Sequence, residues 1–592
     1  MNEKIIIYQL LPRLFSNTCD SCVSNGSIEE NGCGKINDLT DKVLASIKDL
    51  GITHVWYTGI IEHATKSDYT RYGISKDNPH IVKGNAGSPY AIKDYYDIDP
   101  DIAEDVPERM KEFESLVNRS NNAGLKVLID FIPNHVARQY SSDSRPKGIE
   151  DLGANDNPYF QFSPQNNFYY IPNQLFSPYI DLGSGDDAYF EFPAKATGND
   201  CFSAFPNRND WYETIKLNYG IDYGNNTYHF DPIPDTWYKM LNILRFWAAK
   251  GIDGFRCDMV HMVPVAFWKW AIPQVKEKYP DLIFIAEIYD VGLYREYIYN
   301  GHFDYLYDKV TLYDTLRGIQ CDNISAAAIT NCWQTVGDIS AHMLNFLENH
   351  DEQRFASRHY AGNASQVIPS LIVSATINTG PMMIYAGQEL GEAAVDAEGF
   401  SGYDGRTTIF DYWSIPTVRR WFNNGECNEK HLTQNEIWLR DIYRKILHMC
   451  NNEKAISQGS FFDLMYVNYN NKTLNPHRQY VYLRCYENEI LLFAVNFADQ
   501  EAGLKINIPF HAFEVMKMRE GDYNATELLS GEKRKVIFDS VNTFDTNIEA
   551  YNAKVWKLKP VRKNISSKKQ KSFLLKQLKS SKFAENFQPP ML

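Results

Sequence analysis

Eight short apolar runs punctuate the first 390 residues: Ile5–Leu10, Thr53–Tyr57, Lys126–Ile132, Ile252–Asp258, Leu282–Glu287, Phe303–Tyr307, Met343–Leu347 and Met382–Tyr385. Their apolar residues run on continuously instead of alternating with polar ones. That pattern suits parallel strands buried on both faces. A segment of helical type follows each run. The helix before the fourth run is the plainest: Trp237, Leu241, Leu244 and Trp247 form one apolar stripe, Asp235 is placed to cap its start and Gly251 to end it. Eight strand–helix units in succession predict an α/β fold, a (β/α)8 TIM barrel.

The rhythm breaks between the third run and the helix at 235, in a stretch rich in Asn, Pro, Tyr and Phe. Loops longer than about 15 residues are usually functional or form a small domain. Residues 136–228 are therefore expected to form an inserted domain on the C-terminal face of the barrel, and residues 1–135 and 229–457 the barrel itself. After a last helix near Glu436–Cys450 the pattern changes. "QYVYLRCYENEILLFAVNFA" alternates like an antiparallel strand pair, with Glu487-Asn488-Glu489 as its turn. "EVMKMRE" (514–520) and "AKVWKLKP" (553–560) continue the alternation, so residues 458–560 predict a C-terminal antiparallel β-sandwich. The tail, 561–592, is rich in Ser and Lys and carries a net charge of +7; it reads as disordered.

The chain of 592 residues carries −14 overall, which argues against nucleic acid and anionic membranes as main partners. No apolar stretch approaches the ~20 residues of a membrane span. The opening "MNEKIIIYQLLPRLF" reads as a buried strand and not as a signal peptide, so a cytoplasmic location is expected. Of ten cysteines only Cys19 and Cys22 have a metal-like spacing, and no second CxxC answers them; free thiols are expected and no metal ligands are assigned. Aromatic residues make up 14% of the chain. The run Tyr159, Phe160, Phe162, Phe168, Tyr169, Tyr170 and Phe176 offers a sugar platform or, more simply, the core of the insertion.

Charged residues collect where the strands end. Asp258 ends the fourth run and Glu287 the fifth; Asp351 follows the seventh, and His135 follows the third beside Asp130 and Asn134. A carboxylate at the C-terminal end of a barrel strand reads as catalytic. Three carboxylates with Arg and His, without a Cys/His cluster or a phosphate loop, point to glycoside chemistry. A retaining glycosidase needs a nucleophile and an acid/base about 5 Å apart. Arg256 lies two positions before Asp258 and faces the same side of the strand, where its charge is expected to keep Asp258 ionised. Glu287 is expected to start protonated. Physics alone leaves Asp351 unassigned.

Four stretches carry a resemblance: Asp130-Phe131-Ile132-Pro133-Asn134-His135, Gly254-Phe255-Arg256-Cys257-Asp258, Ala286-Glu287 and Asn349-His350-Asp351. Their order and placement resemble the α-amylase family, glycoside hydrolase family 13, over roughly residues 1–560. The resemblance implies Asp258 as nucleophile, Glu287 as acid/base and Asp351 as transition-state stabiliser. It implies that Arg256, His135 and His350 contact the sugar at the cleaved site and that Tyr90, in "GSPYAIKDYYDIDPD", stacks on it. His261 and Met262 stand where secreted endo-amylases have Lys-His; His261 is counted among the substrate contacts. "TIKLNYG" (214–220) resembles the neopullulanase-like version of a family motif, and its Lys216 replaces a calcium-binding Asp. No cofactor is then required, although a structural calcium elsewhere stays open. Gly87 replaces the Asp that exo-acting α-glucosidases carry three residues before the stacking Tyr.

The expected function is a retaining hydrolase of α-glucosidic, mainly α-1,4, bonds in maltooligosaccharides or starch-like glucans. A 4-α-glucanotransferase would use the same covalent intermediate, and a non-catalytic carbohydrate-binding protein could use the same fold. Retention of all three carboxylates favours an enzyme.

Overall fold

The computed structural model describes residues 4–561, so the basic tail lies outside the described residues. All eight apolar runs are strands: β1 Ile6–Leu10, β2 His54–Tyr57, β3 Lys126–Phe131, β4 Gly254–Cys257, β5 Ile283–Ala286, β6 Tyr305–Tyr307, β7 Met343–Phe346 and β8 Met382–Tyr385. They pair in parallel, each with its neighbours in the chain, and close when β1 meets β8, with Ile6 opposite Met382 and Gln9 opposite Tyr385. The result is a (β/α)8 barrel. Almost every strand residue is buried, which is why the runs are continuous and not alternating.

The helix Asp235–Ala248 buries Trp237, Leu241, Leu244 and Trp247. Asp235 does not cap it. Pro234 occupies the cap position, and Asp235 is the first helical residue, paired instead with Lys239 one turn on at 2.8 Å. An acid in the first turn still complements the helix dipole. Trp247 Nε1 donates to the Tyr95 carbonyl at 2.7 Å and so ties this helix to the connection after β2.

Between β3 and that helix the chain forms a loop-rich insertion. It is anchored where His135–Ala137 pairs antiparallel with Thr214–Lys216. The aromatic run divides. Phe168, Tyr169, Tyr170 and Phe176 are buried and serve as core; Tyr159 and Phe160 stand exposed.

Beyond the helix Gln434–Asn452, six antiparallel strands form one sheet, and Ala502–Ile506 pairs with Phe544–Ile548 in a second. The predicted hairpin is Gln479–Tyr486 with Glu489–Asn496. Its turn is shorter than expected, because Glu489 already pairs with Tyr486. Residues 514–520 are not a strand. They complete the helix Phe510–Val515 and leave it through Lys517 in the left-handed region. Phe513 and Met516 are buried at helical spacing while Val515 is exposed, so the apparent alternation was a helix end.

Arg484 seals the seam between the barrel and this sheet. It is buried with no carboxylate partner among the described residues; its guanidinium donates to the carbonyls of Ala455, Ile377, Ile456 and Gly459 at 2.7–3.0 Å. Arg484→Ala would leave four buried acceptors short of a donor. A loss of about 3 kcal/mol or more is expected, read as a lower urea midpoint.

Candidate active site

The parallel register determines which side chains meet. Arg256 on β4 lies opposite Asp130 on β3 and Ile285 on β5. The ladder continues past the strand ends, where Asp258 N–H donates to the Phe131 carbonyl and Glu287 N–H to the Cys257 carbonyl. Asp258 and Glu287 thereby emerge side by side at the C-terminal mouth.

Arg256 is 1% exposed and lies beneath both. Its Nη1 is 2.8 Å from Asp258 Oδ1 and 3.2 Å from Asp130 Oδ1, and its Nη2 is 2.8 Å from Glu287 Oε2. Nε donates to Tyr307 Oη at 3.2 Å. The rings of Trp56, Tyr90 and Tyr307 surround the guanidinium at 5.2–5.5 Å. Such a cation is tolerable in a low-dielectric interior only because carboxylates surround it, although Nη2 meets Glu287 as an ion pair without a hydrogen bond.

The charge balance differs from the sequence expectation. Asp258 is pushed well above the usual carboxylate range, first by burial and then by the Glu287 carboxylate; Arg256 opposes both. Burial dominates, and Arg256 offsets it only in part because one guanidinium serves three carboxylates. Donors are also unequal. Glu287 accepts from Met259 N–H at 2.9 Å and Tyr289 Oη at 2.6 Å in addition to its ion pair, whereas Asp258 has Arg256. Asp130 is raised to about 6, by burial against the pull of Arg256.

Asp351 faces the cavity with a side chain 44% exposed, and its Oδ2 lies 2.9 Å from His350 Nε2. Burial pushes this carboxyl up, but His350, Arg256 and Arg406 outweigh it and hold the group at about 2. His350 also stacks on Tyr90, 5.1 Å between centroids, and contacts Gln9 of β1 at 2.7 Å.

Tyr90 precedes the strand Ile92–Ile98, which pairs with Ile61–His63. Gly87 sets its approach: φ is +80°, and a Cβ there would stand 1.7 Å from the Ala64 carbonyl oxygen. An Asp cannot occupy this position without moving the loop.

His135 is buried and held at about 3, by burial and then by the charges of Lys216 and Lys83. Gly198 closes over it, where an added Cβ would come within 2.8 Å of the His135 Cβ. Lys216 is also buried; its Nζ donates to Asn134 Oδ1 at 2.8 Å and pairs with Asp200. An ammonium group thus sits on the residue that would otherwise offer an oxygen to calcium. Among the described residues the one carboxylate cluster spaced for a cation is Glu62, Asp94 and Asp97, away from Asn134 in the sequence and paired through β-strands on the second connection.

A cavity of about 530 Å³ opens over these groups, lined by Tyr90, His135, Asp258, Glu287 and Asp351. Arg256 and His350 lie directly behind its wall. His261 does not line it; the ring is half-buried, 6.4 Å from that of Tyr289. Sequence reasoning missed Met259, Trp211, Tyr289, Lys309, Arg406 and Phe410, which also line it. Met259 adopts φ +43°, a strained conformation for a side chain with a Cβ, and this turn aims its N–H at Glu287. Trp211 packs against His135 at 5.3 Å. Met259, next to Asp258, and Tyr289, two residues beyond Glu287, stood beside motifs; the other four did not.

The model of the alpha-amylase catalytic domain matches residues 9–455. Alpha-amylase 2 of Dictyoglomus thermophilum is 20% identical over 86% of this chain and 71% of its own. Neopullulanase 2 of Thermoactinomyces vulgaris is 22% identical over 66% of this chain and 57% of its own. The fold is similar to that of a maltogenic alpha-amylase from Thermotoga neapolitana, with a TM-score of 0.60 at 20% identity over 95% of this chain and 100% of that one. No described helix is long and apolar enough to cross a membrane. With a family match spanning most of the chain, this protein belongs to the alpha-amylase family, glycoside hydrolase family 13, and is an enzyme of that family.

Proposed function

We propose that this enzyme hydrolyses α-1,4-glucosidic bonds in maltooligosaccharides or starch-like glucans with retention, Asp258 acting as nucleophile and Glu287 as acid/base. The observation that carries the reading is Arg256 gripping both carboxylates at 2.8 Å on the cavity floor. Burial and the neighbouring Glu287 carboxylate raise the Asp258 carboxyl well above the usual range in the free site. Catalysis needs Asp258 ionised and Glu287 protonated. Substrate binding favours that form, because the glycosidic oxygen is an acceptor for Glu287 and the developing positive charge at the anomeric carbon favours ionised Asp258.

Asp258 then attacks the anomeric carbon while Glu287 protonates the departing oxygen, and a β-glycosyl-enzyme forms. Water, deprotonated by the Glu287 carboxylate, attacks the same carbon and releases Asp258 with an α-configured product. Asp351, held ionised, stabilises the positive charge on the sugar together with its hydrogen-bonded hydroxyls. Tyr90 stacks on the ring, and His135 and His350 bind hydroxyls. His261 is set back from the cavity, which supports a role beyond the cleaved sugar at most. Lys216 on Asn134 supports an active site that assembles without calcium at that position.

The test is a time course of wild type and Glu287→Gln on maltoheptaose and pullulan with all products sized. Wild type should yield only shorter sugars, and the variant should be slower by about 10²–10⁴. Products longer than the substrate would instead show transfer to sugar; matching rates for the two proteins would refute the assignment of Glu287. The pH dependence gives a second check. Arg256 lowers the Asp258 pKa, so Arg256→Met should move the acid limb of kcat/KM to higher pH and reduce its maximum about 100-fold or more. An unshifted limb would show that Arg256 does not tune this pair.

A further inference from the structure

A second cavity, of about 510 Å³, opens on the insertion and shares no lining residue with the catalytic one. Phe160, Phe162, Phe202 and Tyr223 form its apolar walls, and the amides of Gln161 and Asn225 stand among them. Phe160 is 57% exposed and Tyr223 40%. Exposing several large rings around one hollow is costly unless something covers them. Buried Tyr169 lines the same pocket and supports Phe162, Phe202 and Tyr223 at ring distances of 5.3–6.2 Å, which leaves the Phe160 and Tyr223 rings open above it.

The lining defines the chemistry of the occupant. Flat rings interleaved with neutral amides match a sugar, whose faces are apolar and whose edge carries hydroxyls. The one carboxylate present, Asp222, is occupied with its own turn: it accepts from Gly224 N–H at 2.9 Å and from the Asn225 side chain at 2.7 Å. No cation lines the pocket, so it is not built for phosphate or another anion. The pocket also neighbours the catalytic cavity along one strand. The strand Thr214–Lys216 joins the two: Thr214 lines the catalytic cavity, and Lys216, two residues on, holds its Nζ 5.6 Å from the centre of the Tyr223 ring. Two residues of strand span about 7 Å, so the two pockets lie close together on the insertion.

We propose that this pocket is an outer binding site for an α-glucan chain, holding polymeric substrate beside the catalytic cavity. The proposal rests on the α-glucan reading above. The test compares wild type, Gln161→Ala and the double variant Phe160→Ala/Gln161→Ala by native electrophoresis in gels containing soluble starch, with turnover of 4-nitrophenyl α-maltotrioside measured in parallel. Both side chains are exposed and neither belongs to the catalytic machinery, so turnover of the short substrate should stay unchanged and also reports correct folding. The double variant should bind starch about fivefold more weakly, and Gln161→Ala alone should weaken it in the same direction. Retardation equal to wild type in both variants would overturn the proposal. Failure of the catalytic reading would appear separately, as absence of turnover of the short substrate by wild type.

Discussion

One buried guanidinium organises the mouth of this barrel. Arg256 is 1% exposed, and its three nitrogens reach Asp130, Asp258, Glu287 and the Tyr307 hydroxyl. A cation so deep must be matched by anions, and anions so close must be matched by a cation. Neither requirement is met unless β3, β4, β5 and β6 keep their parallel register, since each contributes one partner at or just past its end. Slipping β4 by one residue would turn both Arg256 and Asp258 to the outer face. The geometry of the site is therefore a consequence of barrel closure; burial, then the Glu287 carboxylate, raises Asp258 against the single guanidinium.

A second cation holds the insertion in place. Lys216 bridges Asn134, at the end of β3, and Asp200 within the insertion, next to His135. It performs with a side chain the joining task that a bound ion would perform with its charge. Its field, together with Lys83 and burial, keeps His135 neutral, a state suited to hydrogen-bonding a sugar hydroxyl. Gly87 and Gly198 complete this assembly by allowing backbone where a side chain would collide.

Much of this was legible in the chain. The eight strands could be read because a parallel barrel buries both faces of each strand, so its runs are continuous, and their ends located Asp258, Glu287, Asp351 and His135. Elsewhere periodicity misled: at 514–520 a helix end imitates alternation, and at 235 an acid next to Pro234 imitates a cap. The wall residues were hidden for another reason. Met259 matters through its backbone N–H and a left-handed turn, and Trp211 reaches His135 from across the insertion. Neither contact has a signature in local spacing. The raised Asp258 carboxyl was not foreseen, because burial at the strand ends and the number of carboxylates around Arg256 depend on three strands at once.

The decisive measurement is covalent trapping. Glu287→Gln should still react with α-maltosyl fluoride, whose leaving group needs no protonation, but should lack the base that releases the sugar. Peptide mass spectrometry of the quenched reaction should then find one maltosyl unit on the peptide that contains Asp258. An unmodified Asp258 peptide with turnover of the fluoride, or a sugar attached at Asp351, would contradict the assignment of Asp258 as nucleophile.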